Sequence, residues 1–562
     1  FSVNESIAGQ VGGAIRKGNT SVMLLYAGRH GEETANNGNE PPNPLDFTSN
    51  SGLVKLEHEI GDHVFKLGLE YFEREATSDV RSAVVSDFPV FTDYVYNEQI
   101  LDRQRASLKW LYSPQGGWVD HLDSHFYWQH AGSLSDNDSA SKPLEAMPGV
   151  PIPGTERTRV QRITFDTDIA GFSSVARREF GTEDAVLHAA MAGVDFSLET
   201  SANKYTRVDT NSPNNNNRTS FAPTDTTRTG FFIQDEIKIR RKFFITPGLR
   251  LDWQAIEPDP NPAYLARLEE LGRFGQEKPT DYDNFSVSPR LNLAWKPVET
   301  MQFYGTYAHG VRNPSAEELS MVFDHPPDGG NPAGSLTVPN PNLKEEQSDA
   351  FELGYKAEGS AGRFQTSVFY TRYRDFIENG VATGELDDDN RDIVTTVNRG
   401  EAEIYGFEVG GSHRLGYWWD QAAGWEIGLA TGKTIGNNLT DDLPLNTIEP
   451  WKTVGFLGYE DPGGRYGARL SGTYVAEVKR VDDTTNQGTF FRPPAWFTLD
   501  LAAWWQPSET VAIHAGFNNI FDEKYWQWGS VRRGNGHLGG GGATDRATAP
   551  GRNFSLSVTK TF

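Results

Sequence analysis

The length, composition and charge of the chain exclude several classes of protein. It has 562 residues without a proline- or serine-rich linker or a shift in composition, which favours one large repetitive architecture over several small domains. Hydrophobic residues make up 37% and the mean hydropathy is −0.56, and no stretch reaches the roughly 18 to 20 apolar residues of a membrane-spanning helix. A net charge of −24 argues against nucleic acid as a partner, and the absence of cysteine excludes disulfides and thiolate metal sites.

Alternating apolar and polar residues indicate β-strands along the chain. Clear examples, in chain order, are DAFELGYK (349–356), WFTLDLAAWW (496–505), VAIHAGFNN (511–519) and GRNFSLSVTKTF (551–562). In the last of these, Phe554, Leu556 and Val558 share one face, and serines and threonines share the other. Many runs reach about ten residues or more, which is long for a soluble sheet but is the length at which a tilted strand crosses a bilayer.

The segments between these strands alternate in length. Short ones lie at 16–19, 113–117, 297–300, 358–362 and 507–510. Long ones lie roughly at 30–50, 73–103, 131–157, 203–226, 255–283, 312–345, 378–394, 436–449, 478–492 and 529–550. Tight turns at one rim and long loops at the other are typical of outer-membrane barrels, since only helices or closed barrels satisfy backbone hydrogen bonds in lipid. The sequence therefore predicts an all-β fold, a transmembrane antiparallel β-barrel with short periplasmic turns and long extracellular loops.

The expected strand count is about 21, from roughly Ile7 to Phe562. Single-chain bacterial barrels usually have an even number of strands, and about 22 is typical of plugged transporters. We therefore interpret residues 1–562 as one barrel domain that is incomplete at its N-terminus, with the first strand and a plug domain upstream of Phe1. A C-terminal phenylalanine on an amphipathic strand agrees with an outer-membrane barrel.

Five segments carry a resemblance to a known family. They are YAHGVRNPSAEEL (307–319), NPNLKEEQSDAFELGYK (340–356), FYTRYRDFIENG (369–380), NRGEAEIYGFEVG (398–410) and GFNNIFDEKYWQWGSVRRG (516–534). In this order the chain resembles the barrel domain of TonB-dependent outer-membrane receptors, and within them the haem and haemoprotein receptors. The likeness extends over nearly the whole chain.

The resemblance also implies a binding loop with two sequence boxes. Haem receptors carry a phenylalanine-arginine-alanine-proline box, a histidine, and then an asparagine-proline-asparagine-leucine box in the seventh extracellular loop. Arg312 and Pro314 match the first box, whereas Val311 replaces its aromatic residue and Asn313 its alanine. The second box is matched in full by Asn340, Pro341, Asn342 and Leu343.

His325 lies between the two boxes, where the resemblance implies the barrel-side axial ligand of haem iron. Neutral imidazole is a good ligand for haem iron, and Met321, Val322 and Phe323 supply apolar surface beside it. Pro326 and Pro327 restrict the backbone that follows. From the residues alone, a solvated loop histidine is the better interpretation, and the resemblance is what favours a haem ligand. The other six box residues are expected to shape the loop without touching iron.

The resemblance therefore implies TonB-dependent uptake of haem, either free or from a haemoprotein, across the bacterial outer membrane. Haem is then the transported ligand and no cofactor is expected. The partners are outer-membrane lipid, haem or a haemoprotein, and a TonB-type energy-transducing protein that acts through the missing plug segment. No catalytic motif is recognisable, so an enzyme is not expected. Alternatives are a receptor for a ferric siderophore or an iron-carrier protein and, from a different class, a passive diffusion porin or a structural, partner-binding barrel.

Overall fold

The computed structural model of the protein consists mainly of β-strands in one sheet. It describes residues 4–84, 92–147, 149–152, 155–210, 216–270, 278–325, 334–387, 391–483, 490–532 and 543–561. Within these ranges, twenty-five strands belong to a single sheet, and a separate ribbon pairs Glu145–Met147 with Val150–Pro151. The predicted all-β, antiparallel architecture is confirmed.

Twenty-one of the described strands form a continuous meander, in which each strand pairs antiparallel with the next one along the chain. They are β1 (Asn4–Lys17), β2 (Thr20–Thr34), β3 (Leu45–Ile60), β4 (His63–Asp79), β5 (Thr92–Tyr112), β6 (His121–Ser141), β7 (Arg157–Gly181), β8 (Val186–Asp209), β9 (Thr224–Ile239), β10 (Phe243–Pro258), β11 (Tyr282–Val298), β12 (Met301–Arg312), β13 (Glu346–Gly359), β14 (Gly362–Leu386), β15 (Asp392–Arg414), β16 (Trp425–Asn438), β17 (Lys452–Glu460), β18 (Tyr466–Val475), β19 (Trp496–Ser508), β20 (Val511–Asn518) and β21 (Asn553–Lys560).

The remaining elements lie mostly in the connections. Four short strands join the sheet from the loops: Asn216–Arg218, Phe323–His325, Ser335–Val338 and Leu443–Pro444. The helices are α1 (Pro262–Glu270), α2 (Ala316–Ser320), α3 (Trp528–Val531) and α4 (Ala543–Arg546), with single 3-10 turns at Arg81–Ala83, Leu415–Tyr417 and Asp420–Ala422. None of the helices in the described ranges has the length and apolar character needed to cross a membrane.

One face of the meander carries exposed apolar side chains. In the ladder Phe351 pairs with Tyr370, and Tyr370 pairs with Tyr405, so the three rings lie on the same face. Leu353, also on this face, is 65% exposed. An apolar surface that continues over so many strands requires a nonaqueous environment or a partner. We call this the outer face and the opposite one the inner face.

Aromatic rings form a row on the outer face of five neighbouring strands, β10 to β14. Successive ring centroids lie 6.2, 5.6, 4.8 and 6.1 Å apart. The row consists of Phe243, Trp295, Phe303, Tyr355 and Phe364. Such girdles are typical of barrels at the boundary between lipid and water.

The two ends of the sheet differ in the length of their connections, as the sequence predicts. At the short-turn end, β1 and β2 are joined by Gly18 and Asn19, and β3 and β4 by Gly61 and Asp62. Gly18 and Gly61 have φ of 60° and 57°, which the first central position of a type II′ hairpin turn requires. At the long-loop end, the connections are 35–44, 80–91, 142–156, 210–223, 259–281, 313–345, 387–391, 439–451, 476–495 and 519–552.

Strand length varies strongly around the sheet. β7 and β14 have 25 residues each and β8 has 24, whereas β17, β20 and β21 have 9, 8 and 8. About 10 residues suffice for a tilted strand to cross a bilayer, so more than half of the longest strands extends beyond that distance. The extensions occupy part of the segments that the sequence assigns to loops, such as 131–157 and 378–394. We call β5 to β8 the tall wall.

The first and last strands of the meander each have one neighbour. In the described residues β1 pairs with β2 and β21 pairs with β20, and no ladder joins β1 to β21. Side chains on these edge strands are correspondingly open, with Ile7 73% and Val558 63% exposed.

Candidate functional site in the loop between β12 and β13

The loop at residues 313–345 is held together at its base by Arg312. Its guanidinium donates from Nη1 to both carboxylate oxygens of Glu318, at 3.1 and 3.0 Å, and from Nη2 to Glu346 at 3.4 Å. Glu346 is the first residue of β13, and its carboxylate also accepts the backbone N–H of Ile377 at 3.0 Å. Arg312 therefore connects the two ends of the loop with its first helix.

Asn313, which departs from the family pattern, connects the loop to the sheet. Its side-chain amide donates to Gln254 Oε1 at 3.0 Å, and its Oδ1 accepts from Tyr282 Oη at 3.1 Å and Asn284 Nδ2 at 2.8 Å. Alanine could make none of these hydrogen bonds. The next residue, Pro314, is fully buried.

A capping box begins α2, the helix that packs against the second sequence box. The Ser315 hydroxyl accepts the backbone N–H of Glu318 at 3.1 Å, and the Glu318 carboxylate accepts the backbone N–H of Ser315 at 2.8 Å. This orients Leu319 toward Leu343, the last residue of the second box, and both side chains are buried against Ile256. The helix α2 and the second box thus share one apolar cluster.

The second box forms a turn that is fastened to β15. Asn340 donates from Nδ2 to the carbonyl of Thr396 at 2.8 Å, and its Oδ1 accepts the backbone N–H of Asn342 at 3.0 Å. The second hydrogen bond closes an Asx turn around Pro341, whose fixed φ suits such a turn.

Asn398 anchors the chain directly after the second box. Its Oδ1 accepts the backbone N–H of Lys344 at 2.8 Å, and its Nδ2 donates to the carbonyls of Lys344 and Asp375, both at 2.9 Å. The sequence does not single out Asn398, although it is the first residue of the NRGEAEIYGFEVG segment.

Between the boxes, the chain forms a hairpin that joins the sheet. Phe323–His325 pairs antiparallel with Ser335–Val338, which in turn pairs in parallel with residues 392–395 of β15. Three buried side chains stabilise this arrangement: Leu336, Val338 and Ile393. The backbone of His325 pairs with Ser335, and the side chain of His325 lies outside the described residues.

Two neighbouring loops hold the end of α2 and the residues that lead into the hairpin. The hydroxyl of Tyr264, on α1, donates to the carbonyl of Ser320 at 2.6 Å, and the backbone N–H of Ala222 donates to the Ser320 hydroxyl at 3.2 Å. The backbone N–H of Val322 donates to the carbonyl of Ser220 at 2.6 Å. The described parts of the three loops 210–223, 259–281 and 313–345 therefore form one packed unit. Tyr264 was missed by sequence reasoning.

The hairpin also contacts the tall wall. The ring of Phe323 meets the ring of Tyr205 edge to face, with centroids 6.4 Å apart and planes at 90°. Tyr205 is buried on the inner face of β8. This contact was not predicted, since β8 is more than a hundred residues distant along the chain.

The electrostatic environment of α2 is acidic. Desolvation, together with the neighbouring Glu318 carboxylate, raises the pKa of Glu317 above its ordinary value. Glu318 itself is paired with Arg312. In the described part of the chain, no group of three or more histidine, aspartate or glutamate side chains is arranged to hold a metal ion.

One known protein family matches most of the chain. The family described as "TonB dependent receptor-like, beta-barrel" matches residues 34–520. The chain belongs to this family of TonB-dependent receptors. Its members are transport receptors of the outer membrane, which confirms the prediction that the chain is not an enzyme.

Curated relatives of this TonB-dependent receptor carry names that refer to haemoglobin. One is the "Probable hemoglobin and hemoglobin-haptoglobin-binding protein 4" of Haemophilus influenzae, 27% identical over 62% of this chain and 40% of the relative. Another is the "Hemoglobin-haptoglobin utilization protein B" of Neisseria meningitidis serogroup A, 27% identical over 57% of this chain and 42% of the relative. The chain thus matches about two fifths of the length of these relatives.

Solved structures of transport receptors share the fold. The copper transporter OprC superposes with a TM-score of 0.71 at 16% identity, covering 100% of this chain and 80% of that one. The Serratia marcescens hemophore receptor HasR, a double mutant in complex with its hemophore HasA and heme, gives 0.67 at 15% identity, covering 99% and 80%. At these identities the similarity establishes the fold.

Proposed function

We propose that this protein is an outer-membrane receptor that takes up haem, captured from a haemoprotein. One observation carries the proposal: α2, which directly follows the first box, packs against the second box through Leu319 and Leu343, and the hairpin that contains His325 lies between the two boxes along the chain. The haemoglobin-binding names of the relatives support the same ligand class. Haem is then cargo and not a resident cofactor.

In this proposal the imidazole of His325 is the axial ligand of the haem iron on the barrel side. Imidazole nitrogen is a common protein ligand of haem iron, and the half-buried ring of Phe323, which is backed by the buried Tyr205, offers apolar surface for the macrocycle. Arg312, Pro314, Asn340, Pro341, Asn342 and Leu343 hold the loop and do not touch the iron. Their hydrogen bonds and burial in the described structure support that role.

The test is a spectral titration of the full-length receptor with haemin. We expect a shift of the Soret absorbance on binding, and we expect His325→Ala to lose most of it because the axial ligand is removed. His30→Ala is the matched control, since His30 is an exposed histidine at the same end of the sheet, paired with Asp46. If the intact receptor gives no shift but takes up a ferric siderophore, the haem assignment is wrong.

We further propose that the complete protein is a closed barrel of about 22 strands with a plug, both supplied in part by residues upstream of Phe1. In the described residues, one edge of β1 and one edge of β21 have no partner strand, which agrees with a further strand in the gap between them. Loops from the two sides of this gap already meet: the backbone N–H of Asn37 donates to the carbonyl of Ala549 at 3.1 Å. The plug would contact the TonB-type energy-transducing protein at the periplasmic, short-turn end, while the outer face contacts lipid.

Single-channel conductance of the full-length receptor tests this architecture. A plugged barrel is expected to be closed, because the plug fills its lumen. A large, steady conductance of the native protein would instead support the diffusion-porin alternative.

A further inference from the structure

Three arginines lie together at the long-loop ends of β7 and β8. Arg157 and Arg159 are two positions apart at the start of β7, and Arg207 is near the end of β8. Arg159 pairs with Asp209 in the ladder, and Arg207 pairs with Gln161. Residues two apart on a strand share a face, so the three arginines lie side by side on one face.

This face is the inner one. Phe196 and Leu198 lie on the outer face of β8, where they are 41% and 50% exposed. Arg207 is an odd number of residues from both and therefore points to the opposite side. The neighbouring inner positions on β6, Asn137 and Ser139, carry no charge.

The arginine cluster contains more positive than negative charge. Its one described carboxylate, Asp209, is completely buried and accepts from Arg159 Nε at 2.9 Å and from Arg207 Nε at 2.8 Å. Three guanidinium groups around a single described carboxylate leave excess positive charge, although the whole chain has a net charge of −24. Such a local reversal of sign is the expected environment for an anionic ligand group.

Arg157 is the member of the cluster whose side chain has free hydrogen-bonding capacity. Among the described residues it makes neither a hydrogen bond nor an ion pair, and its electrostatic neighbours are Arg159, Arg207 and Asp209. It is half-buried, so water satisfies its five N–H donors only in part. Asp209 orients the other two guanidinium groups and leaves Arg157 available to an incoming carboxylate.

The arginine cluster is next to the hairpin of the candidate site. Tyr205, which contacts Phe323, is two positions from Arg207 on the same face of β8. Two residues of a strand span about 7 Å. A flat ligand that lies against the half-buried ring of Phe323 can therefore extend toward Arg207, and Arg159 and Arg157 follow along the same face toward the loop end.

We infer that Arg157, supported by Arg159 and Arg207, binds the propionate carboxylates of haem while the macrocycle lies against Phe323. The inference rests on the proposed haem uptake and adds the site for the anionic edge of the ligand. Guanidinium groups bind carboxylates through two parallel N–H···O bonds, which fix the rotation of the ring as well as adding affinity. Arg157 is thus a specificity residue for dicarboxylate porphyrins.

The experiment compares haemin with haemin dimethyl ester, in which both carboxylates are blocked, on full-length receptor. We expect the native receptor to bind the ester about tenfold more weakly, and Arg157→Gln to bind haemin about tenfold more weakly than the native receptor does. The variant should bind haemin and the ester alike. Arg157→Lys, which keeps the charge but not the planar fork, should fall between the native receptor and Arg157→Gln.

Arg162→Gln is the matched control. Arg162 lies on the same strand but on the outer face, where it is paired with Asp136 and 58% exposed, so both ligands should bind this variant as they bind the native receptor. Equal affinity of the native receptor for haemin and its ester would overturn the arginine assignment while haem uptake stands. If Arg157→Gln weakened only the docking of a haemoprotein and bound haemin as the native receptor does, the arginine assignment would also be overturned. No binding of haemin by the native receptor would instead refute the proposed function.

Discussion

The long-loop end of the sheet is built in two different ways on its two sides. In the tall wall, β5 to β8, the strands themselves continue far beyond the bilayer length, and polar pairs such as Asn97 with Ser135 and Asn137 join them. On the other side, β17 to β21 have only 8 to 13 residues. There the loops pack Phe490, Trp528 and Val531 into an apolar cluster, which we call the packed cap.

The difference follows from how backbone hydrogen bonds are satisfied. A strand extension satisfies its N–H and C=O groups through the ladder, so it stays ordered without an apolar core. Irregular loops lack that ladder, and burial of large side chains has to offset their ordering entropy. Loss of a large apolar side chain should therefore matter most in the packed cap, and loss of a polar pair should matter most in the tall wall. Native-state hydrogen exchange measures each region separately.

The largest expected effect is in the packed cap. Trp528→Ala removes a side chain that is 2% exposed and donates from Nε1 to the carbonyl of Asn446 at 2.9 Å. We expect a loss of about 4 kcal/mol in the local opening free energy, because truncation leaves a cavity and an unpaired carbonyl. The exchange rate of the Arg532 amide, which donates to the carbonyl of Trp528, measures this loss. Trp419→Ala, at an exposed position, is the control, and equal losses in both variants would contradict the idea of a packed cap.

A somewhat smaller effect is expected in the tall wall. Asp209→Ala leaves Arg159 and Arg207, whose side chains are 14% and 19% exposed, without their buried carboxylate. We expect the opening free energy that hydrogen exchange measures for residues 157–163 and 203–209 to fall by about 3 kcal/mol, because breaking a buried pair leaves uncompensated charge. Asp136→Ala, which removes the partner of the more exposed Arg162, should cost less than about 1 kcal/mol. A loss confined to the packed cap would show that the wall does not depend on its polar pairs.

The packed unit formed by the three loops should be less stable when one buried hydroxyl is removed. Tyr264→Phe removes the 2.6 Å hydrogen bond to the carbonyl of Ser320, which is buried. We expect the local opening free energy to fall by about 2 kcal/mol. The amide of Val322 is the probe, because it donates to the neighbouring loop. Tyr26→Phe, which loses an exposed hydrogen bond to Asn50, should change the protection of its own strand by less than about 0.5 kcal/mol. Similar small effects in both variants would mean that the three loops do not act as one unit.

The smallest effect is a pH dependence where the loops beside the gap meet. Hydrogen bonds from the Lys524 ammonium and the backbone N–H of Glu40 lower the pKa of Asp545 below its ordinary value. A lowered carboxylate pKa stabilises the folded state above the unfolded pKa of about 4, and this contribution disappears as pH falls through the folded pKa. The Glu40 amide should therefore be better protected in the native protein than in Asp545→Asn at pH 5 to 8. The advantage should shrink only below about pH 4, and its loss already at pH 6 would contradict the assignment.

Much of the fold was predictable where one face of a strand meets an apolar environment. Alternation at Phe554, Leu556 and Val558 identified β21 and its outer face, and the short and long connections identified the two ends. The strand extensions were missed, because both faces of a strand above the bilayer are polar or mixed and the two-residue repeat fades. Ser139 and Ser141, for instance, carry no strand signal, yet they continue the ladder of β6.

The candidate loop shows the same division. The two boxes and His325 were recognisable by resemblance, but the importance of Asn313 was not, since a replaced family residue looks like a loss until its three hydrogen bonds are known. Tyr205 and Arg157 carried no signal at all, because they belong to strands far from the loop in sequence.

The sequence alone determined the all-β class, the two ends of the sheet, the family and the position of the loop. These follow from local patterns, repeated every two residues or contained in short boxes. Only the tertiary structure decided which distant side chains meet: Leu319 with Leu343 and Ile256, Phe323 with Tyr205, and Arg159 and Arg207 with Asp209. The physical reason is that the register of the strand ladders and the packing of three loops set these contacts, and neither can be read from any one segment of the chain.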